Sequence, residues 1–251
     1  MSGHSKWSTI KHKKAVTDQR RGALFTKLAR EIIVAAREGG GDPEMNFRLR
    51  LAVNNARASN MPNDNIDRAI KKGAGTDSGG EQLQEVLYEG YAPGGAAILV
   101  QALTDNRNRT ASEIRSRFSK AGGNLAESGA VAWGFETKGT VRVTLSGAKA
   151  DDLALEAVDA GAEDFAIDES AIEFTATRAD LAKLRTFLER KPGVKVESAE
   201  FAMVPKTTLL LDAAKSQQTI RLLESLEDLD DVQKVYTNAD FPDEVLAAAS
   251  R

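Results

Sequence analysis

Residues 138–205 read KGTVRVTLSGAKADDLALEAVDAGAEDFAIDESAIEFTATRADLAKLRTFLERKPGVKVESAEFAMVP. Val141, Val143 and Leu145 alternate as a strand, and Leu153, Ala157 and Ala160 then recur at helical spacing. Phe165 and Ile167, followed by Ile172 and Phe174, make a hairpin across Asp168-Glu169-Ser170. Leu181, Leu184 and Leu188 mark a second helix, and Val194 to Met203 a last strand. Its phase slips between Val196 and Ala199, which is what a bulge would produce. The order βαββαβ is that of a ferredoxin-like domain.

The flanks on both sides of this block need each other. Downstream, Leu209 to Leu211 is strand-like, Ile220, Leu223 and Leu226 mark a helix, and Val232 to Tyr236 a strand, too little to fold alone. Upstream, Val86, Tyr88 and Tyr91 lead through the turn Ala92-Pro93-Gly94-Gly95 to the apolar run Ala96 to Leu103, a strand pair whose second member is buried. Thr110 and Glu113 read as a capping box, Ile114 and Phe118 as the apolar face of a helix stopped by Gly122-Gly123, and Val131, Trp133 and Phe135 as a third strand. The expectation is an α+β chain. Residues 81–137 plus 206–240 form a discontinuous α+β domain, and residues 138–205 are a ferredoxin-like domain inserted into it.

Residues 1–75 read as a basic arm followed by a helical domain. Leu24, Leu28, Ile32 and Ala36 recur every four residues, widened by Phe25, Ala29 and Ile33, and Gly39-Gly40-Gly41 ends that helix. Pro43 suits the first turn of a second helix carrying Phe47, Leu51 and Ala58. Ile66, Ala69 and Ile70 mark a third, closed by Lys71, Lys72 and Gly73, and the Gly- and Ser-rich stretch to Gly80 is a linker.

The 251 residues carry 34 Lys plus Arg against 37 Asp plus Glu, but the charge is split: residues 1–75 hold 15 basic and 7 acidic side chains, residues 76–251 hold 19 and 30. A basic head on an acidic body points to a polyanion partner for the head, since clustered cations release counterions when they meet phosphates. The alternative is a solvated basic face. With no Cys, disulfides, thiolate metal sites and Cys nucleophiles are excluded. No apolar run is long enough to span a bilayer, and Met1 to Lys14 is basic where a secretory signal needs an apolar core, so the expected location is the cytoplasm.

Little here suggests catalysis. His4 and His12 have no carboxylate near them in sequence, the Gly90 to Gly95 segment lacks a following Lys-Ser or Lys-Thr, and the serines of residues 112–119 have no His partner outside the arm. No enzyme, metal, cofactor, membrane or small-molecule substrate is expected. The residues expected to contact nucleic acid are Lys6, Trp7, Lys11, His12, Lys13, Lys14, Arg20, Arg21, Lys27, Arg30, Arg57, Arg107 and Arg109. Trp7 among cations either stacks on an exposed base or anchors the arm. Asn54, Asn55 and Arg57 either reach base edges or, for the two asparagines, pack against the arm. In Asp105 to Lys120, five cations meet two acids; they either face phosphate or serve as turn, cap and ion-pair residues.

Gly3-His4-Ser5-Lys6-Trp7, Ile10-Lys11-His12-Lys13-Lys14, Phe25-Thr26-Lys27-Leu28, Asn54-Asn55-Ala56-Arg57-Ala58, Arg68-Ala69-Ile70-Lys71-Lys72-Gly73, Tyr88-Glu89-Gly90-Tyr91 and Asp105-Asn106-Arg107-Asn108-Arg109-Thr110 resemble the YebC/PmpR family along nearly the whole chain. The resemblance implies a helical N-terminal domain with two α+β domains. It implies a DNA-binding transcriptional regulator, or a translation factor associated with the ribosome or with ribosomal or messenger RNA. The chain departs from many relatives in lacking Cys and in having Trp133 where Tyr is common.

Overall fold

The protein, in a computed structural model, is described over residues 18–75, 83–145, 150–168, 171–242 and 244–246. Helices α1 (Asp18–Gly39), α2 (Phe47–Ala58) and α3 (Asn63–Gly73) close around Ile32, Ala35, Leu49, Ala56 and Ile66, all at most 1 % exposed. The stripe on α1 runs through Ile32, Ile33, Ala35 and Ala36, while Leu24 at its start is 42 % exposed. Gly73 ends α3 against α1: a Cβ there would sit 2.4 Å from the Ile33 carbonyl oxygen. Pro43 does not open α2. The helix begins four residues later, because Asn46 caps it: its Oδ1 accepts from the Leu49 N–H at 3.1 Å, and its Nδ2 donates to the carbonyls of Ala35 and Gly40.

Strands β1 (Gln84–Tyr91) and β2 (Ala97–Thr104) form the expected antiparallel pair, with Tyr91 opposite Ala97. Gly94 and Gly95 take φ of +96° and +86° in the connecting turn, which glycine adopts without a Cβ clash. Next come α4 (Arg107–Ala121) and β3 (Asn124–Leu125). Two expectations fail here. The cap of α4 is Asn106, whose side chain accepts from the Arg109 N–H, so Thr110 and Glu113 are not a capping box. The strand that pairs beyond β1 is β3, and residues Ala132–Gly134 form a 3₁₀ turn instead of a strand. That turn is bent by a buried carboxylate: Glu89 accepts from the N–H groups of Gly129, Val131 and Ala132 at 2.6, 2.7 and 2.8 Å.

Strand β4 (Phe135–Leu145), helix α5 (Ala150–Asp159), strands β5 (Ala162–Asp168) and β6 (Ala171–Ala176), helix α6 (Leu181–Glu189) and strand β7 (Val194–Pro205) complete the βαββαβ order. Their sheet runs β5-β6-β4-β7 with all neighbours antiparallel, the split βαβ arrangement. The bulge falls at Glu197: Arg142 pairs with Ser198 and Val143 with Val196. The extra residue sets its carboxylate 3.3 Å from Nε of Arg142, which is only 7 % exposed.

The chain then returns through β8 (Leu209–Leu210), α7 (Ala213–Glu227), β9 (Val232–Thr237) and β10 (Ala239–Asp240). Strand β9 pairs with β2, giving a sheet of order β3-β1-β2-β9. Ile98 and Val100 of β2 face α4 and α7, while Leu99 packs on Phe135, Ala202 and Tyr236 on the other face. Burial on both faces is why this antiparallel strand reads as an unbroken apolar run.

Candidate nucleic-acid interface

Lys6, Trp7, Lys11, His12, Lys13 and Lys14 lie outside the described residues, and Arg20 and Arg21 fall on the first turn of α1. The structure brings three of the remaining candidates to one place, the turn between α7 and β9. Lys27 donates to the Glu227 carbonyl, and Arg30 to the Asp230 carbonyl and, at 3.0 Å, to Oδ1 of Asp231. Arg109 reaches Oδ2 of Asp231 at 2.7 Å and Asp105 at 2.8 Å.

Asp231 is the hub of this cluster. It is 4 % exposed, and its Oδ2 also accepts from the hydroxyls of Thr104 and Thr110 at 3.1 and 2.7 Å. Burial acts to raise its pKa, but the hydrogen bonds from Arg109, Thr110 and Thr104 outweigh it and hold the carboxyl below its ordinary value. Its own hydrogen bond to Asp231 and the charge of that carboxylate, with the bond to Asp105, keep the Arg109 guanidinium protonated more firmly than usual. Arg109 and Arg30 therefore carry charge already shared with the fold.

The other cations of α4 are differently placed. Arg107 is exposed; its main-chain carbonyl accepts from the Tyr88 hydroxyl at 3.1 Å, and its guanidinium makes no hydrogen bond or ion pair with other described residues. Arg115, Arg117 and Lys120 make no hydrogen bond or ion pair with other described residues. Arg117 and Lys120 line a polar cleft of about 740 Å³ between α1, α4 and the 228–231 turn, with Ser112 and Ser116 beside them and the carboxylates of Glu113, Asp228, Asp230 and Asp231 on its other walls. Unpaired cations flanked by hydroxyls are chemically suited to phosphate oxygens.

Helix α2 contributes less than its sequence suggests. The Asn55 side-chain amide donates to the Ala199 carbonyl and accepts from the Ala199 N–H, both at 3.2 Å, tying α2 to β7. Neither packing on the arm nor reading a base describes that amide. Arg57 on the last turn is exposed. Arg48 bridges Glu31, Glu38 and Glu85 and so fastens α1 and α2 to β1; its desolvation is outweighed by those three carboxylates, which hold it protonated. Among the described residues no group of three or more His, Asp or Glu could hold a metal ion, and no helix is long and apolar enough to cross a membrane.

Sequence reasoning passed over two residues. Asp231 lies in an acidic run, Glu227-Asp228-Leu229-Asp230-Asp231, where nothing in the spacing separates the buried carboxylate from its solvated neighbours. Trp133 is 74 % exposed, and its alternation with Val131 and Phe135 imitated a strand. The signal that could have exposed it is the pair of glycines, Gly129 and Gly134, around it.

Two family descriptions match: the TACO1/YebC N-terminal domain over residues 5–76 and the TACO1/YebC second and third domains over residues 83–239. A probable transcriptional regulatory protein of Dehalococcoides mccartyi is 55 % identical over 246 residues, covering 98 % of this chain and 97 % of its own. One from Pelotomaculum thermopropionicum is 53 % identical over 245 residues, covering 97 % and 100 %. The crystal structure of a conserved hypothetical protein from Aquifex aeolicus superposes with a TM-score of 0.86 at 49 % identity, over 93 % of this chain and 96 % of that one. With both family descriptions matched and relatives above half identity along its length, the chain belongs to the TACO1/YebC family.

Proposed function

We propose that this protein is a nucleic-acid-binding regulator that acts by binding DNA, a role in keeping with relatives named probable transcriptional regulatory proteins. The observation that carries the reading is the set of α4 cations without a partner among the described residues, Arg107, Arg115, Arg117 and Lys120, on an otherwise acidic body and beside the basic head. The arm and the start of α1 supply further cations in Lys6, Lys11, Lys13, Lys14, Arg20 and Arg21, with Trp7 and His12 among them. Neutralising about six phosphates gives a slope of log K against log salt near −5 on duplex DNA and a shallower one on single strands. Arg57 is the base-edge candidate left on α2 once Asn55 is committed to β7.

The deciding experiment is competition at near-physiological salt. A promoter duplex that is a true operator survives excess random duplex by about 10³-fold or more in relative affinity. Equal displacement of every promoter fragment by random duplex, with retention of the protein on ribosomes, overturns the transcriptional reading and establishes a ribosome- or RNA-associated translation factor in its place.

A further inference from the structure

Trp133 is built like a platform. An indole that is 74 % exposed normally has freedom to turn, yet here its Nε1 donates to the Ala130 carbonyl at 3.0 Å and its own carbonyl accepts from Lys206 Nζ at 2.8 Å. The loop beneath it is fixed as well. Glu89, 3 % exposed, gathers three of the loop's N–H groups, and the Tyr91 hydroxyl donates to the Ala130 carbonyl at 3.1 Å. Three N–H donors satisfy the buried carboxylate, so the loop's shape is fixed from beneath. The core does not need the ring, because Val131 and Phe135 on either side supply the buried contacts.

The chemistry around the ring selects the ligand. A protein-docking surface needs several apolar side chains together, and no ring contact of Trp133 with another aromatic side chain is found among the described residues. What the loop does offer is one flat aromatic face with an ammonium beside it. A flat face with an ammonium beside it is what a single nucleotide requires, a surface for its base and charge for its phosphate. A base paired inside a duplex has no open face to give; an unpaired one does.

We propose that Trp133 is a stacking site for an unpaired nucleobase, held ready by the Glu89-anchored loop. The proposal rests on the nucleic-acid reading above and adds to it a site for single strands, which nothing in a duplex-only regulator would use. The test uses the full-length protein with Trp7→Phe, which leaves Trp133 as the sole indole of a chain that has two. The probes are a single-stranded oligouridine 12-mer, an oligothymidine 12-mer and a random 12-base-pair duplex.

Single strands should quench the Trp133 fluorescence, and the duplex should not. In the otherwise natural sequence, Trp133→Ala should weaken single-strand binding roughly 5- to 150-fold while leaving duplex affinity within about twofold, and Trp133→Tyr should recover most of the loss. Both variants should melt at the wild-type temperature, because the ring is exposed. Unchanged single-strand affinity in Trp133→Ala, or an equal loss on single strand and duplex, overturns the stacking site while leaving the nucleic-acid reading in place. Failure of the wild type to bind any probe overturns both.

Discussion

Replacing Asp231 with Ala should loosen the joint between the helical head and the first sheet. The carboxylate has no easy substitute: Thr104 and Thr110 are fully buried, and Thr104 loses the acceptor for its hydroxyl proton. A buried orphaned donor costs about 1–3 kcal/mol. Loss of the ion pairs adds less than a fully buried pair would, since the Arg109 side chain is 45 % exposed and still holds Asp105, whereas Arg30, 23 % exposed, retains only main-chain carbonyl contact there. Together these give about 2–4 kcal/mol, or a drop in Tm of roughly 5–15 °C for a chain of this size. Because the folded pKa of Asp231 is lowered, its contribution is present above the unfolded value of ~3.9 and is lost as pH falls through the folded one. Thermal scans of wild type and variant should therefore stand apart at pH 7 and converge as pH is lowered below about 4. Equal melting at pH 7, or a gap that persists undiminished at pH 2, would refute this account of Asp231.

The two arginines of the α4 motif should separate: Arg109→Ala lowers Tm, whereas Arg107→Ala leaves it within about 1 °C and weakens duplex binding uniformly across sequences. Arg117→Ala with Lys120→Ala should leave stability unchanged and reduce the salt slope of duplex binding by about 2, as measured by titration from low to high salt. Asn55→Ala removes both bonds to Ala199 and should cost about 1–2 kcal/mol in denaturant titrations, without altering discrimination between promoter and random duplex. Glu89→Gln should speed amide exchange at Val131 and Ala132; in the wild type the same loosening appears only at acid pH, because the carboxyl's lowered pKa keeps it an anion down to below its ordinary range.

What the sequence made legible follows from what each element needs. The βαββαβ block declared itself because its strands are buried on one face and its helices along one stripe, so period 2 and period 3.6 alternate without interference. Even the bulge was visible, since one extra residue at Glu197 reverses the alternation. The failures all sit where a side chain overrides local pattern. Asn46 moved the start of α2, Asn106 displaced Thr110 from the cap of α4, and Glu89 folded a strand-like stretch into a turn. Each is a polar side chain satisfying main-chain N–H groups, an interaction with no periodicity to read.

The same reasoning changes how the motifs should be valued. Tyr88-Glu89-Gly90-Tyr91 looks functional as a string, yet each member is used internally. Tyr88 holds the Arg107 carbonyl, Glu89 the 129–132 loop and Tyr91 the Ala130 carbonyl. Gly90 lies under Phe118, where a Cβ would come within 2.7 Å of the ring. Asp105 to Thr110 divides in the same way, with Asp105, Asn106, Arg109 and Thr110 bound to one another or to Asp231 and Arg107 left facing solvent. A residue whose donors and acceptors are all met inside the fold has nothing left to offer a ligand without first giving up stability. On the nucleic-acid reading proposed above, binding would draw on what the scaffold leaves over, Arg107, Arg115, Arg117 and Lys120 for phosphate and the face of Trp133 for a base, together with the cations of the arm. The densest motifs supply the rigidity that keeps those groups aimed outward.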